Sequence, residues 1–246
     1  MKRSLKVDKY LVDAKWNVSK NVKILVTKKN FLSQENFDLS YTNNKYVSAK
    51  ESRQLINSIL PSKPYYMKQI HGKKVVYLDD SEKLSHVCDG LITKKKNRVI
   101  SILTADCMPI VISSICGSII CVLHVGRKGA QYNIVENAFK VLKKYNYIYE
   151  AWIGPAISQE YYLVDENIRK LFLDYNSDYN IFFDKNKINK KLFNMNLIGI
   201  ASYQLKTNGV NKIAFSELCT VKNNNDYYSY RINSDKKRFG TFVWSE

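Results

Sequence analysis

One stretch constrains this chain more than any other: Ser101-Ile-Leu-Thr-Ala-Asp-Cys-Met-Pro-Ile-Val-Ile112. An apolar, β-rich run from Val99 to Leu103 leads into Thr104-Ala-Asp-Cys107, and Met108-Pro109 breaks the pattern before a second run, Ile110 to Ile112. Short continuous apolar runs bounded by turn residues read as buried strands. A cysteine set where such a strand gives way to a proline turn is held on rigid backbone near the sheet's edge. Catalytic and ligand residues are often delivered that way. The alternative is a small buried core cysteine. What distinguishes Cys107 is its company: two of the chain's three histidines lie in similar strand-end contexts, Gln69-Ile-His71-Gly72 and His124-Val-Gly126.

The remaining elements fall around this pair of strands. Residues 8–16 and 22–27 read as strands separated by a polar turn at 17–21, and 28–47 as an irregular polar loop. Ser48 and Glu51 fit a capping box for a helix over 49–60 that Pro61 ends. Residues 64–70 form a strand delivering His71, 74–78 another, and Leu91 to Thr93 a short one, while His86 reads as a surface histidine. Gly117 to His124 is a buried strand, followed by a basic, glycine-flanked turn, Gly126-Arg-Lys-Gly129, and a helix from Ala130. Ala151 to Pro155 is a strand, Asp165 caps a helix to about Leu173, and 191–206 has helical spacing with Gly209 near its stop. Lys212 to Cys219 is a further strand, and Tyr227–Arg231 with Arg238–Trp244 make a closing hairpin. No linker, composition break or repeat divides the chain, so one mixed α/β domain over 1–246 is expected.

Composition narrows the function. No apolar run is long enough for a membrane span, and the charged start, Met1-Lys-Arg-Ser-Leu-Lys, lacks the apolar core of a signal peptide, so the cytoplasm is the expected compartment. Five cysteines with no CxxC pair read as free thiols or metal ligands. The net charge of +17 invites a nucleic-acid partner. The lysines are scattered, however, and no helix-turn-helix, zinc-finger or ribonucleoprotein motif is present. No specific nucleic-acid function is expected, and an anionic small substrate such as phosphate suits the charge equally well.

His71, Cys107 and His124 are ligand types that Zn²⁺ accepts in catalytic sites, where three protein ligands leave a fourth position for a water that the ion acidifies. Their separations of 36 and 17 residues are too long for a zinc-finger knuckle, so three strand ends must meet. A Cys–His nucleophile pair and a coincidental core remain alternatives.

Five segments in this order, Gln69-Ile-His71-Gly72, Thr104-Ala-Asp-Cys107-Met-Pro-Ile110, His124-Val-Gly126, Ile153-Gly-Pro-Ala-Ile157 and Cys219-Thr…Tyr228-Ser-Tyr-Arg231, resemble the laccase-domain, or multicopper polyphenol oxidase-like, family. Its bacterial members are also known as purine nucleoside phosphorylases or peptidoglycan editing factors. The similarity covers nearly the whole chain and is strongest over 62–164. It implies a single-domain, layered α/β/β/α sandwich and one zinc ion on His71, Cys107 and His124, which are also the implied catalytic residues. It further implies phosphorolysis of purine nucleosides, methylthioadenosine included, and deamination of adenosine. Purine nucleosides and phosphate are then the partners, and the chain a monomer or small homo-oligomer. Three ligands with one thiolate cannot assemble several copper centres, so copper is not expected. Arg127, Lys128, Arg231 and Arg238 are candidate phosphate or ribose contacts. Asp106 is a candidate for orienting a metal ligand, with a plain structural hydrogen bond as the alternative.

The chain departs from the family pattern around these residues. Where the family usually has HAGWRG, this chain has His124-Val-Gly-Arg-Lys-Gly129, which exchanges a bidentate arginine fork for Lys128 and puts Arg127 at the tryptophan position. The usual Arg-Gly-Gly, Asn-Leu-Gly and Gly-Arg signatures are replaced by Lys28-Lys-Asn, Asp38-Leu-Ser and Lys237-Arg238. Two other functions are weighed: a Cys107–His124 thiol hydrolase or amidase in peptidoglycan precursor editing, and a non-catalytic binding protein stapled by zinc.

Overall fold

The computed structural model describes residues 10–40, 47–78, 85–234 and 236–246. In chain order the elements are β1 (Val22–Val26), α1 (Val47–Ile59), β2 (Tyr66–Lys68), β3 (Val75–Tyr77) and β4 (Ser85–Val87). β5 (Gly90–Thr93), β6 (Ile100–Thr104), β7 (Met108–Ser114) and β8 (Ile120–Val125) follow. Next come α2 (Arg127–Gln131), α3 (Ile134–Leu142), β9 (Tyr149–Ile153), β10 (Leu163–Asp165) and α4 (Glu166–Tyr175). β11 (Phe183–Lys185), β12 (Leu192–Met195), α5 (Leu197–Thr207), β13 (Lys212–Phe215), α6 (Tyr230–Asn233) and β14 (Phe239–Ser245) complete the order.

The strands form a six-stranded sheet, β13-β9-β7-β8-β5-β3, a three-stranded sheet, β1-β14-β6, and two small sheets, β10-β12-β11 and β2-β4. Period-two alternation decides how these stack, because successive side chains of a strand point to opposite faces. In β7, Ile110 and Ile112 enter one core with Cys121 and Leu123 of β8, while Val111 enters a second core with Val122. The first core is closed by α3 and α5, through Val135, Phe139, Ile200 and Leu205. The second is closed by the three-stranded sheet, through Ile24, Ile100, Ile102 and Val243. The other face of that sheet, Leu25, Phe242 and Trp244, packs on Ile56 and Leu60 at α1. The order of layers is therefore helix, sheet, sheet, helices: the expected α/β/β/α sandwich.

Several local expectations are corrected. Of the strand expected over 8–16, residues 8 and 9 lie outside the described residues. The rest runs beside β1, with a single bridge from Leu11 to Leu25. Part of the expected 28–47 loop, 41–46, and the Ser48 side chain of the capping box also lie outside the described residues. The helix expected over 191–206 is split. Leu192–Met195 pairs with β10 and β11, and the Asn196 side chain then accepts from Gly199 N at 2.7 Å to start α5. The strand expected over Lys212–Cys219 ends at Phe215. The closing hairpin does not form, because β14 is already paired on both edges, by β1 and β6. Tyr227 instead packs its ring 5.0 Å from that of Phe239, and the chain turns into α6. The surface histidine expected at His86 is half-buried in β4, paired with Met67 of β2, and its buried Nε2 has no partner among the described residues. No helix among the described residues is long and apolar enough to cross a membrane.

Candidate metal centre

His71, Cys107 and His124 come together: their ligand atoms all lie within 4.8 Å of one another, and the two imidazole rings meet edge-on at 4.8 Å. Each arrives differently. Cys107 immediately precedes β7 and His124 lies in β8, with Pro109 opposite His124 in the antiparallel register. Continuing that register sets Gly126 opposite Cys107. A Cβ at Gly126 would meet Cys107 Sγ at 2.9 Å and His71 Cδ2 at 3.2 Å, so only a glycine leaves the thiol and the imidazole their places. His71 stands after β2 in a turn and itself takes the left-handed region, at φ +59°. Gln69 ties this turn to β6, donating to Leu103 O at 2.8 Å and accepting from Leu103 N at 2.9 Å.

A buried carboxylate that sequence reasoning passed over holds both histidines. Asp89 Oδ1 meets His124 Nδ1 at 2.8 Å and accepts from His71 N at 2.9 Å. Its Oδ2 accepts from Gly72 N at 2.7 Å and Ile70 N at 3.3 Å. One acid thus fixes the strained turn that presents His71 and the ring of His124, whose Nε2 is left for a ligand. The only signal for it in the sequence was an acid between Cys88 and the strand beginning at Gly90. Asp106, the candidate for that role, does something else. At φ +80° it turns its carboxylate away from the histidines, accepting from Thr220 Oγ1 at 2.6 Å and Arg231 N at 2.7 Å.

Burial would push the Cys107 thiol up, but the charge of His124 and hydrogen bonds from His124 and His71 outweigh it and pull the group down to about 6. Burial would lower His124, yet Cys107 and Asp89 hold it up at about 9. Burial likewise opposes ionisation of Asp89, but its bonds to His124 and Gly72 keep it below the usual carboxylate range. Both shifts favour a thiolate beside an imidazolium in the metal-free cluster. Cys88, by contrast, is pushed up to about 11 by burial, the behaviour of an inert core thiol.

The cluster faces a cleft of about 850 Å³. Met67, Leu103, Ile157 and Leu197 give it apolar walls, and Tyr162 and Tyr230 add aromatic ones. Arg127, Arg231 and Arg238 line it, joined by Lys68 and Lys236. Lys128 does not line it. The segment expected as a basic turn is the start of α2, which leaves Arg127 half-buried at the cleft and Lys128 exposed. The Arg238 backbone N–H donates to Asp38 Oδ1 at 2.9 Å, and its guanidinium donates to Lys237 O of its own loop at 2.8 Å.

The residues fit a metal ion. Two imidazoles and a thiolate converge, Asp89 sets one ring, Gly126 leaves the room, and the remaining side opens on the cleft. Known proteins agree with the family reading. A protein named purine nucleoside phosphorylase from Haemophilus influenzae is 24% identical over 242 residues, 96% of this chain and 99% of that one. One from Rickettsia prowazekii is 34% identical over 166 residues, 67% of this chain and 69% of that one. The fold matches a Neisseria meningitidis crystal structure with a TM-score of 0.84 at 22% identity, covering 96% and 99% of the two chains. A Bacillus licheniformis hypothetical protein matches with 0.81 at 20% identity over 92% and 93%. The family model described as multi-copper polyphenol oxidoreductase laccase matches residues 23–246, and the chain belongs to that family.

Proposed function

We propose that this protein is a zinc-dependent purine nucleoside phosphorylase that also cleaves methylthioadenosine and deaminates adenosine. The observation that carries the reading is the shape of the site. A His–Cys–His cluster opens on a cleft lined by both aromatic and cationic side chains, as a nucleoside and a phosphate together require. The names of the relatives support the same substrates. The family description names copper, but a single cluster with one thiolate, the one such group among the described residues, suits zinc and not a multi-copper array.

His71, Cys107 and His124 would hold the zinc, which would supply Lewis acidity beside the cleft. The chain's own residues do the rest. Asp89 keeps the Nδ1 proton of His124 in place, so the opposite ring nitrogen faces the cluster. Met67, Leu103, Ile157 and Leu197 exclude water from the apolar walls, and Tyr230 offers a ring face to a base. In phosphorolysis a phosphate oxygen bonds to the ribose C1′ as the bond to the purine nitrogen breaks, and the arginines offset the anion's charge. In deamination water adds at the purine C6 and ammonia leaves.

A second reading has its own observation. Cys107, His124 and Asp89 line up as nucleophile, base and orienting acid, the arrangement of a thiol hydrolase or amidase. Chromatography of adenosine incubated with the purified protein, with and without phosphate, tests the first reading, with Cys107→Ala as the control for contaminating enzymes. Phosphate-dependent adenine or phosphate-independent inosine, absent from the variant, is the expected result. A folded, zinc-loaded protein that turns over neither adenosine nor methylthioadenosine refutes it. Turnover of a cell-wall amide by metal-free protein would establish the second reading.

A further inference from the structure

Two cations at the cleft, Arg127 and Arg231, make no salt bridge among the described residues. Tyr162 lines the same cleft. The Arg231 guanidinium lies 5.2 Å from the centre of the Tyr162 ring and makes only long contacts, 3.4 and 3.5 Å, with Leu163 O. Burial pushes the Tyr162 hydroxyl up to about 12, Cys107 and Asp106 add to this, and Arg127 and Arg231 act in the opposite sense. Both cations line the same cleft as this hydroxyl, which finds no acceptor among the described residues. Arg231 is also set in place from behind, its backbone N–H held at 2.7 Å by Asp106, the neighbour of Cys107.

Two guanidiniums without a salt bridge and a free O–H donor on one cleft match one ligand chemistry, a tetrahedral oxyanion. We propose that Arg127, Tyr162 and Arg231 form the phosphate subsite of the cleft, beside the metal cluster and distinct from it. Lys128 lies outside this wall, and Arg238 serves its own loop. The assignment rests on the phosphorylase reading only for the identity of the anion. The subsite itself follows from the three side chains.

Calorimetric titration of inorganic phosphate into the protein as purified, with its metal content measured, tests the subsite without any nucleoside. Tyr162→Phe, which keeps the ring, and Arg127→Met and Arg231→Met are each expected to weaken phosphate about tenfold, the loss of one hydrogen bond to a charged partner. Lys140→Met, on the far face of α3, is the control, and metal content should match wild type throughout. Unchanged phosphate affinity in all three variants overturns the subsite, and so does a wild type that binds no phosphate. Affinity lost only on stripping the metal places the anion on the ion and overturns it too. Weakened phosphate binding in a protein that turns over no nucleoside keeps the subsite and removes the phosphorylase reading.

Discussion

Asp89→Asn is the most informative single change, because one carboxylate serves four donors. Two of them, His124 Nδ1 and His71 N, meet Oδ1 at 2.8 and 2.9 Å, and two, Gly72 N and Ile70 N, meet Oδ2 at 2.7 and 3.3 Å. Asparagine has nearly the same shape but one acceptor oxygen and an amide that only donates. If that oxygen keeps the histidine pair, the amide faces the Gly72 and Ile70 N–H groups, donor against donor. At least the 2.7 Å bond is lost, and the remainder lose their charge assistance. A hydrogen bond to a charged partner contributes about 1.5–3 kcal/mol, so a loss of about 3 kcal/mol is expected. For a chain of this size that lowers Tm by about 6–12 °C. Loosening the turn that presents His71 and removing the charge that holds the His124 ring should also weaken zinc about 10- to 100-fold, the usual effect of weakening a ligand's support. Thermal unfolding of the metal-free protein by circular dichroism reads the first quantity, and competition against a chelator reads the second. A metal-free Tm within about 2 °C of wild type, together with unchanged zinc affinity, would refute Asp89 as the common anchor.

Other outcomes follow from the same geometry. Gly126→Ala puts a methyl 2.9 Å from Cys107 Sγ, so the folded variant should lose most of its metal, which elemental analysis of the purified protein checks. In metal-free protein, alkylation of Cys107 followed by peptide mass spectrometry should rise through about pH 6, well below the ordinary thiol value of 9.0, and saturating zinc should suppress it. Stability should change little between about pH 6.5 and 9, as denaturant midpoints across that range would show. The lowered Cys107 contributes stability that is complete above 9.0 and lost as pH falls through about 6. The raised His124 contributes stability that is complete below 6.5 and lost as pH rises through about 9, and over the shared window the two slopes oppose. Zinc at 1,000 times its Kd should raise unfolding stability by about 4 kcal/mol, reversed by chelation.

The buried strands were legible because their pattern is local: Val99 to Leu103 and Ile110 to Ile112 read as strands with or without the rest of the protein. His71, Cys107 and His124 were legible through their strand-end settings. What escaped was set by partners distant in sequence. β14 cannot take a hairpin partner because β1 and β6 occupy both of its edges, which nothing in Arg238–Trp244 reveals. Asp89 looked like one more polar residue beside His86, and only the folded chain brings it under both histidines. Lys128 and Arg127 are adjacent in sequence. The orientation of α2 alone decides which of them reaches the cleft. Tyr162 carried no signal beyond its place after the Gly154-Pro turn.

β7 is paired along both edges and feeds its even-numbered isoleucines to one core and Val111 to the other. A slip by a single residue would send every one of these side chains to the wrong layer. The strand therefore acts as a ratchet with one stable setting, and Cys107 and His124 inherit their alignment from it. Rim residues such as Arg127, Tyr230 and Lys236 carry no such burden. Substitutions there can retune what the cleft accepts while the geometry of the His–Cys–His cluster stays fixed. The fold thus separates the setting of the cluster from the tuning of the cleft around it.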